Sequence, residues 1–257
     1  MMLNAITDWF TGNRDNHLPG KGLFSTLHII LIILFFAIII FNIIYSRKNN
    51  KYADKVVLIC CIVMPISRLI RMIMEVCFGL KQPLEALPFH LCHIMSFVIP
   101  IVYFTQWKKA FPCVMFYGML GGVMTFLFGD YYAYNVLNFY DIESIILHVM
   151  LAMTATSSFM KGDFKFTASN IYLIPIFMLI LACWAEFGNT LFGTNFMYIR
   201  ENGLPFTIIP GHHLFTYALI AVLIFSLMYL PFIIKSLIVG VFGLPGVIVI
   251  LILHFFF

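Results

Sequence analysis

Apolar runs about as long as a bilayer is thick recur along nearly the whole chain, and they constrain its fold more than any other feature. A helix needs about 20 apolar residues to cross the hydrocarbon core, and unbroken runs of this length favour helices over strands. Of the 257 residues, 62% are hydrophobic and 10% are charged, whereas soluble domains carry about 25% charged residues. The sequence therefore predicts an all-α, polytopic transmembrane helical bundle.

The runs divide the chain into about seven spans with a flanking segment at each end. We expect spans at residues 23–45, 56–79, from 88 onward, 110–128, 142–160, 168–192 and 212–234. Residues 1–22 are predicted to form an N-terminal interfacial segment, and residues 23–234 the seven-helix transmembrane domain. Residues 235–257 are apolar but interrupted by glycine and proline, so we expect a tail or a partial eighth span.

Prolines and glycines predict local geometry within the spans. Pro88 is expected in the first turn of the third helix, where its missing N–H costs nothing. Pro175 is expected to kink the sixth helix. Gly118, Gly121 and Gly122 are expected to let the fourth helix approach a neighbour closely.

Lysine and arginine residues are distributed unevenly between the two sets of loops. Nine fall on one side, four of them in the basic loop expected at residues 46–55, and four fall on the other side. Cytoplasmic loops of membrane proteins are enriched in these residues. We therefore expect the side with nine to face the cytoplasm and the N-terminus to lie outside. The net charge of +4 is too scattered for a nucleic-acid surface.

Polar and ionisable side chains inside the predicted spans collect toward one membrane face. Alternating helix directions bring to similar depth Arg71, Glu75, His90, Cys92, His93, His148, Glu186, Asn189 and the pair His212–His213, with Arg68 deeper. Such groups are costly in hydrocarbon and commonly mark functional sites. The opposite halves of these helices are predicted to be almost purely apolar.

The second span carries three charged residues on one stripe. Arg68, Arg71 and Glu75 are spaced at helical intervals, and Arg71 and Glu75 are i,i+4 neighbours that can pair. We expect all three to face the bundle interior. Two interpretations remain open: a structural salt bridge that orients helices, or an arginine pair that holds a lipid phosphate.

A cysteine and three histidines provide the candidate chemistry. Cys92 points away from His90 on a regular helix, so a base for its thiol would come from another helix, and His148 lies at matching depth. The alternative for each is an ordinary core residue. His90 and His93 share a face and could instead bind metal with Glu75 or Glu186, although i,i+3 histidines are common by chance. No cofactor motif is present, and no resident metal or cofactor is expected.

Several segments carry a family resemblance. LPFHLCHIMSFVIPIVYFT, FYGMLGGVMTFLFGD, ILHVMLA and LFGTNFMYIRENG occur in this order, and over about residues 56–234 the chain resembles the bacterial YwaF-type integral membrane proteins. That family is remotely similar to the eukaryotic phospholipid acyltransferase known as transmembrane protein 164. The resemblance implies a bacterial plasma-membrane protein with Cys92 as nucleophile and His148 as its partner.

These observations support a leading hypothesis and two alternatives. The leading hypothesis is a phospholipid acyltransferase or transacylase in which Cys92 forms an acyl thioester with His148 as base. Membrane phospholipid would be the acyl donor, the acceptor or both. Predicted substrate-binding residues are Arg68, Arg71, Glu75, His90, His93, Glu186 and Asn189. The alternatives are a non-enzymatic transporter or lipid-binding protein with a polar pocket in one leaflet, and a structural membrane protein. The oligomeric state is left open.

Overall fold

The computed structural model describes residues 24–128, 139–167 and 172–200, and this part of the chain is helical, with no strand. Its helices are α1 (Thr26–Lys48), α2 (Asn50–Cys77), α3 (Leu91–Phe104), α4 (Phe111–Phe128), α5 (Phe139–Lys161) and α6 (Leu173–Phe192). A short 3-10 helix follows at Phe196–Tyr198. Five of the six α-helices are long and apolar enough to cross a membrane. The exception is α3, whose 14 residues span only about 21 Å.

The first six predicted spans each correspond to a helix, which confirms the helical membrane architecture. The seventh predicted span at 212–234, the interfacial segment at 1–22 and the apolar tail at 235–257 lie outside the described residues. The total of seven spans and the division of the chain into these segments therefore stay predictions.

The basic loop expected at residues 46–55 is not a loop. Asn49 is the single residue between α1 and α2. Its backbone N–H donates to the Tyr45 carbonyl oxygen and ends α1, while its side chain accepts from the Tyr52 backbone N–H at 3.1 Å and begins α2. Asparagine is among the best helix N-caps because its side chain satisfies an N–H left free in the first turn.

Two proline predictions were wrong. The third helix begins at Leu91, not at Pro88. The Pro88 carbonyl oxygen lies outside the helix and accepts a hydrogen bond from the Trp184 indole N–H at 3.0 Å. The sixth helix begins at Leu173. Pro175 thus falls in its first turn, where proline replaces no intrahelical hydrogen bond and causes no kink.

Helix α5 is the centre of the bundle and packs against α1, α2, α3 and α4. The predicted close approach of α4 is confirmed. A Cβ added at Gly122 would lie 2.8 Å from the His148 carbonyl oxygen of α5, and one added at Gly118 would lie 2.8 Å from Ile99 of α3. Helix backbones can touch only where side chains are this small.

The prediction that the other halves of the helices are almost purely apolar was wrong. Asn42 of α1 donates to the Met153 carbonyl oxygen at 3.2 Å and to the hydroxyls of Thr156 and Ser157 at 2.9 Å. Ser46 and Ser157 share a hydrogen bond of 3.0 Å. We call this set the hydroxyl ladder. Backbone and side-chain acceptors satisfy its polar groups, as hydrocarbon requires.

The ends of the helices beside the hydroxyl ladder share one basic face. Lys161, at the end of α5, pairs with Asp54 near the start of α2 and with Asp163 at 3.0 Å. Tyr103 and Lys108 line a surface recess together with Lys161. These contacts bring Lys161, Lys108 and the start of α2 to one side of the bundle. Lys235 lies outside the described residues, and the assignment of the basic side to the cytoplasm stays a prediction.

Candidate functional site

A buried cluster of charged side chains joins α2 to α5 at the end away from the basic face. Arg71 is its hub: its Nε donates to Glu75 at 3.0 Å, and its Nη1 donates to Glu143 at 2.8 Å and to the Tyr140 carbonyl oxygen at 3.1 Å. Lys81 donates to the second oxygen of Glu75 at 3.1 Å. We call Arg68, Arg71, Glu75, Lys81 and Glu143 the charged cluster.

The predicted orientation of the α2 charges is confirmed. The side chains of Arg68, Arg71 and Glu75 are 0%, 11% and 5% exposed, and the predicted Arg71–Glu75 pair is formed. Lys81 belongs to the segment between α2 and α3. Burial lowers the pKa of its ammonium group below the ordinary value, although the Glu75 carboxylate beside it acts in the opposite direction.

Arg68 differs from the other members of the charged cluster in its hydrogen bonding. None of its three guanidinium nitrogens has a hydrogen-bond partner among the described residues. Its nearest carboxylate oxygen belongs to Glu75, at 3.8 Å from Nη2, which is beyond hydrogen-bond range. A fully buried guanidinium with five donors and no acceptor is costly, so its presence requires an explanation.

Cys92 and His148 lie at matching depth, as the sequence predicts. Cys92 is 12 residues from the end of α3 at Phe104, and His148 is 13 residues from the end of α5 at Lys161. These separations correspond to about 18 and 20 Å along the two helices. Because Tyr103 and Lys161 line one recess at the basic face, both distances start from nearly the same level.

His148 has one nitrogen satisfied and one available. Its Nδ1 lies 2.6 Å from the Ser144 carbonyl oxygen, which can only accept, so Nδ1 carries the proton and Nε2 has the lone pair. Nε2 is buried and makes no hydrogen bond within the described part of the chain. A histidine oriented in this way is the tautomer that a general base requires.

Cys92 occupies the first turn of α3, where backbone N–H groups have no intrahelical acceptor. Arg68 and Glu143 lie within electrostatic range of both Cys92 and His148, which places the thiol and the imidazole beside the charged cluster. No direct hydrogen bond joins them, since Nε2 has no partner.

His90 and His93 contact each other, with ring centroids 5.1 Å apart and nearly perpendicular planes. His90 also accepts from the Met197 backbone N–H at 3.4 Å. The alternative metal site is not formed: across residues 24–128, 139–167 and 172–200, no three histidine, cysteine or carboxylate side chains are arranged to hold an ion. In place of that arrangement, Glu75 pairs with Arg71 and Lys81, as described above.

Glu186 and Asn189 belong to a separate cluster at the end of α6. Glu186 pairs with Arg200 at 2.6 Å. Asn189 is fully buried, donates to the Phe196 carbonyl oxygen at 3.2 Å and accepts from the Phe196 backbone N–H. These contacts fold the 3-10 segment back onto α6. The predicted substrate contacts of both residues stay predictions, and His212 and His213 lie outside the described residues.

Glu143, like Lys81, is a member of the charged cluster that the sequence analysis did not predict. It lies in the second turn of α5 and is 6% exposed. From the sequence, a carboxylate at the very start of a predicted span resembles an interfacial residue in contact with water. The available signal was the shortage of carboxylates: Glu75 alone could not neutralise the two arginines on its own helix.

Comparison with known proteins identifies the family. No curated protein and no solved structure matches the chain, and the YwaF-type resemblance has no separate match. The TMEM164 family model matches residues 23–229, which include all six helices and the charged cluster. The chain is therefore a helical membrane protein that belongs to the TMEM164 family.

Proposed function

We propose that this protein is a membrane acyltransferase that moves acyl chains between phospholipids through a thioester on Cys92. The observation that carries the proposal is the orientation of His148, whose Nδ1–H is fixed by Ser144 and whose Nε2 lone pair is unused. This base lies at about the depth of Cys92, and both are within electrostatic range of Arg68. The resemblance to a phospholipid acyltransferase, carried by the same two residues, supports the assignment.

The first half-reaction forms the thioester. His148 Nε2 takes the proton of the Cys92 thiol, through one water molecule because the two side chains are not hydrogen-bonded. The thiolate attacks the ester carbonyl carbon of the donor lipid. The tetrahedral intermediate then expels the glycerol oxygen, which takes the proton from His148 and leaves as lysophospholipid.

The second half-reaction transfers the chain. His148 removes the proton from the acceptor hydroxyl, whose oxygen attacks the thioester carbon. The C–S bond breaks, and the thiolate recovers its proton from His148. In both steps, backbone N–H groups in the first turn of α3, which have no intrahelical acceptor, would stabilise the oxyanion. Water as acceptor would give hydrolysis by the same chemistry.

The experiment tests for the covalent intermediate. Purified protein is incubated with phospholipid carrying a labelled acyl chain, and the protein is examined for a hydroxylamine-sensitive adduct on Cys92. We expect the adduct and acyl transfer in the natural protein, neither in C92A, and both lost or strongly reduced in H148A. Helical content and thermal unfolding are recorded for every variant.

A matched cysteine keeps the test specific. Cys113 is also buried, but it lies on α4 and contacts the Leu173 carbonyl oxygen, so C113A should retain adduct and activity. Acyl transfer retained in C92A would refute the thioester mechanism. Lipid binding without any adduct or transfer would instead favour the non-enzymatic lipid-binding alternative.

A further inference from the structure

We infer that Arg68 is the anion-binding residue of this site and that it takes one singly charged oxyanion, the phosphodiester of a lipid headgroup. The identity of the ligand as a substrate lipid rests on the proposed function. The binding site itself does not depend on catalysis, because it is built from charge and hydrogen bonding alone.

The two arginines of α2 differ in their hydrogen bonds, and this difference identifies Arg68 as the anion-binding residue. Arg71 donates to two carboxylates and one backbone carbonyl and packs its guanidinium 4.9 Å from the Tyr140 ring centroid. Three of its five N–H donors are occupied, and two carboxylates already lie against its positive charge. Arg68, one turn earlier, is fully buried and has none of its nitrogens satisfied by any described residue.

The charge of the cluster sets the charge of the ligand. Ion pairs link three cationic side chains with two carboxylates, which leaves one excess positive charge in the described cluster. Uncompensated charge is strongly unfavourable in a low-dielectric interior. One negative charge balances the cluster, whereas a doubly charged phosphomonoester would reverse the imbalance.

The position of Arg68 relative to Cys92 fits a glycerophospholipid. Arg68 lies within electrostatic range of Cys92, so an oxyanion on its guanidinium would lie at the same end of the bundle as the thiol. In a glycerophospholipid only the glycerol carbons separate the phosphodiester from the acyl ester. A planar guanidinium fork binds phosphate oxygens in a bidentate manner and would fix the ester carbonyl near Cys92.

This assignment makes an unusual statement about stability. Replacing an arginine that stabilises the fold lowers the stability of the protein, whereas replacing an unsatisfied buried cation should not. Replacement of buried charges by apolar residues of similar size is often neutral or stabilising. We therefore expect R68M to melt at the same temperature as the natural protein, or higher, when no lipid is added.

The experiment measures lipid binding in a C92A background, so that no acyl transfer occurs, and compares Arg68 with R68M. The probes share dioleoyl chains: phosphatidylglycerol with a singly charged phosphodiester, phosphatidic acid at pH 8 with a phosphomonoester, and diacylglycerol with no phosphate. We expect phosphatidylglycerol to bind at least tenfold more tightly than the other two. We expect R68M to lose that preference while still binding diacylglycerol.

Three results would overturn the inference: unchanged phosphatidylglycerol affinity in R68M, equal affinity for diacylglycerol, or tighter binding of phosphatidic acid. A lowered melting temperature of lipid-free R68M would assign Arg68 a structural role and would also overturn it. Equal binding of chain-free glycerophosphoglycerol would show that the ligand is a soluble phosphodiester and refute the lipid assignment. Failure of the thioester assay leaves these binding results unaffected, so the two proposals fail separately.

Discussion

Two of the polar regions that the described bundle buries, the hydroxyl ladder and the charged cluster, differ in how far their polar groups are hydrogen-bonded. In the hydroxyl ladder, Asn42 donates to three acceptors on α5, and its Oδ1 accepts from Ser157 at 3.2 Å and from Tyr52 at 3.3 Å. In the charged cluster, Arg68 has no hydrogen bond, and Glu143 Oε1 is likewise without a partner in the described structure. The ladder is neutral and satisfied, whereas the cluster is charged and incomplete.

The difference separates a structural role from a functional one. A satisfied neutral network holds helices in register and needs nothing further. An incomplete charged network is unfavourable by itself. Buried polar groups that lack hydrogen-bond partners are concentrated at functional sites. His148 Nε2 is also unsatisfied and borders the charged cluster. The predictions below test whether the two regions respond differently to substitution.

The largest effect is expected within the charged cluster, at its hub Arg71. R71M removes the one ion-pair partner that Glu143 has among the described residues, and one partner of Glu75. Loss of one side of a buried ion pair costs about 3–5 kcal/mol because the remaining charge is uncompensated. The free energy of unfolding, measured in detergent by denaturant titration, should fall by this amount.

Two companion variants examine the cause of that loss. R68M makes the same change one turn away and should leave stability unchanged or higher. Adding E143Q to R71M removes the stranded carboxylate and should recover part of the loss. A similar loss of stability in R68M would show that the two arginines are equivalent. It would refute the distinction between the hydrogen-bonded Arg71 and the unsatisfied Arg68.

The second effect concerns the contact that positions His148. A Cβ at Gly122 would meet the His148 carbonyl oxygen at 2.8 Å, and backbone cannot move as cheaply as a side chain. Overpacking of this kind costs about 1–3 kcal/mol, and a displacement of about 1 Å at a catalytic group costs on the order of 100-fold in rate. G122A should therefore lower both unfolding free energy and acyl transfer.

Gly121 is the matched control for this prediction. A Cβ there would lie 4.0 Å from Leu91, an ordinary contact. Alanine is better than glycine in a helix by about 1 kcal/mol, so G121A should be neutral or stabilising and fully active. Equal losses in both variants would point to a general intolerance of α4 and not to a contact with His148.

The sequence predicts the helices well because the apolar runs are local signals, but it places their ends poorly. The segment before α3 is bonded to Trp184, which is 96 positions away from Pro88. The junction at Asn49 depends on one side chain that caps two helices. In both cases a specific contact overrode the pattern, and hydropathy contains no information about it.

The candidate site is predictable in its members but not in their bonding. The shared depth of Cys92 and His148 follows from helix direction and span length. The different hydrogen bonding of Arg71 and Arg68 does not follow from the sequence, because helical spacing places both arginines on the same face as Glu75. The contrast depends on Glu143, a residue on another helix, and on interhelical rotation that a sequence does not encode locally.

The third effect falls in the hydroxyl ladder. N42A removes three donated hydrogen bonds between α1 and α5. Interhelical hydrogen bonds in membranes contribute about 0.6 kcal/mol each on average, so a loss of about 2 kcal/mol in unfolding free energy is expected. Acyl transfer per folded molecule should not change, and S46A, which removes one bond, should lose less. Reduced transfer by folded N42A would give the ladder a functional role.

The smallest effect is expected at Ser158, where the comparison is sharpest. Its hydroxyl is buried and has no hydrogen-bond partner in the described residues, as with Arg68, but it is neutral and lies three residues from the end of α5, far from Cys92 in depth. A buried unsatisfied hydroxyl is unfavourable, so S158A should be neutral or stabilising by up to about 1 kcal/mol, with unchanged lipid binding and transfer. The adjacent S157A, which breaks bonds to Asn42 and Ser46, should be destabilising under the same conditions. If S158A lowers activity, an unsatisfied group marks function even without charge or a reactive neighbour. If it does not, the combination of missing partners, charge and proximity to Cys92 is what distinguishes Arg68.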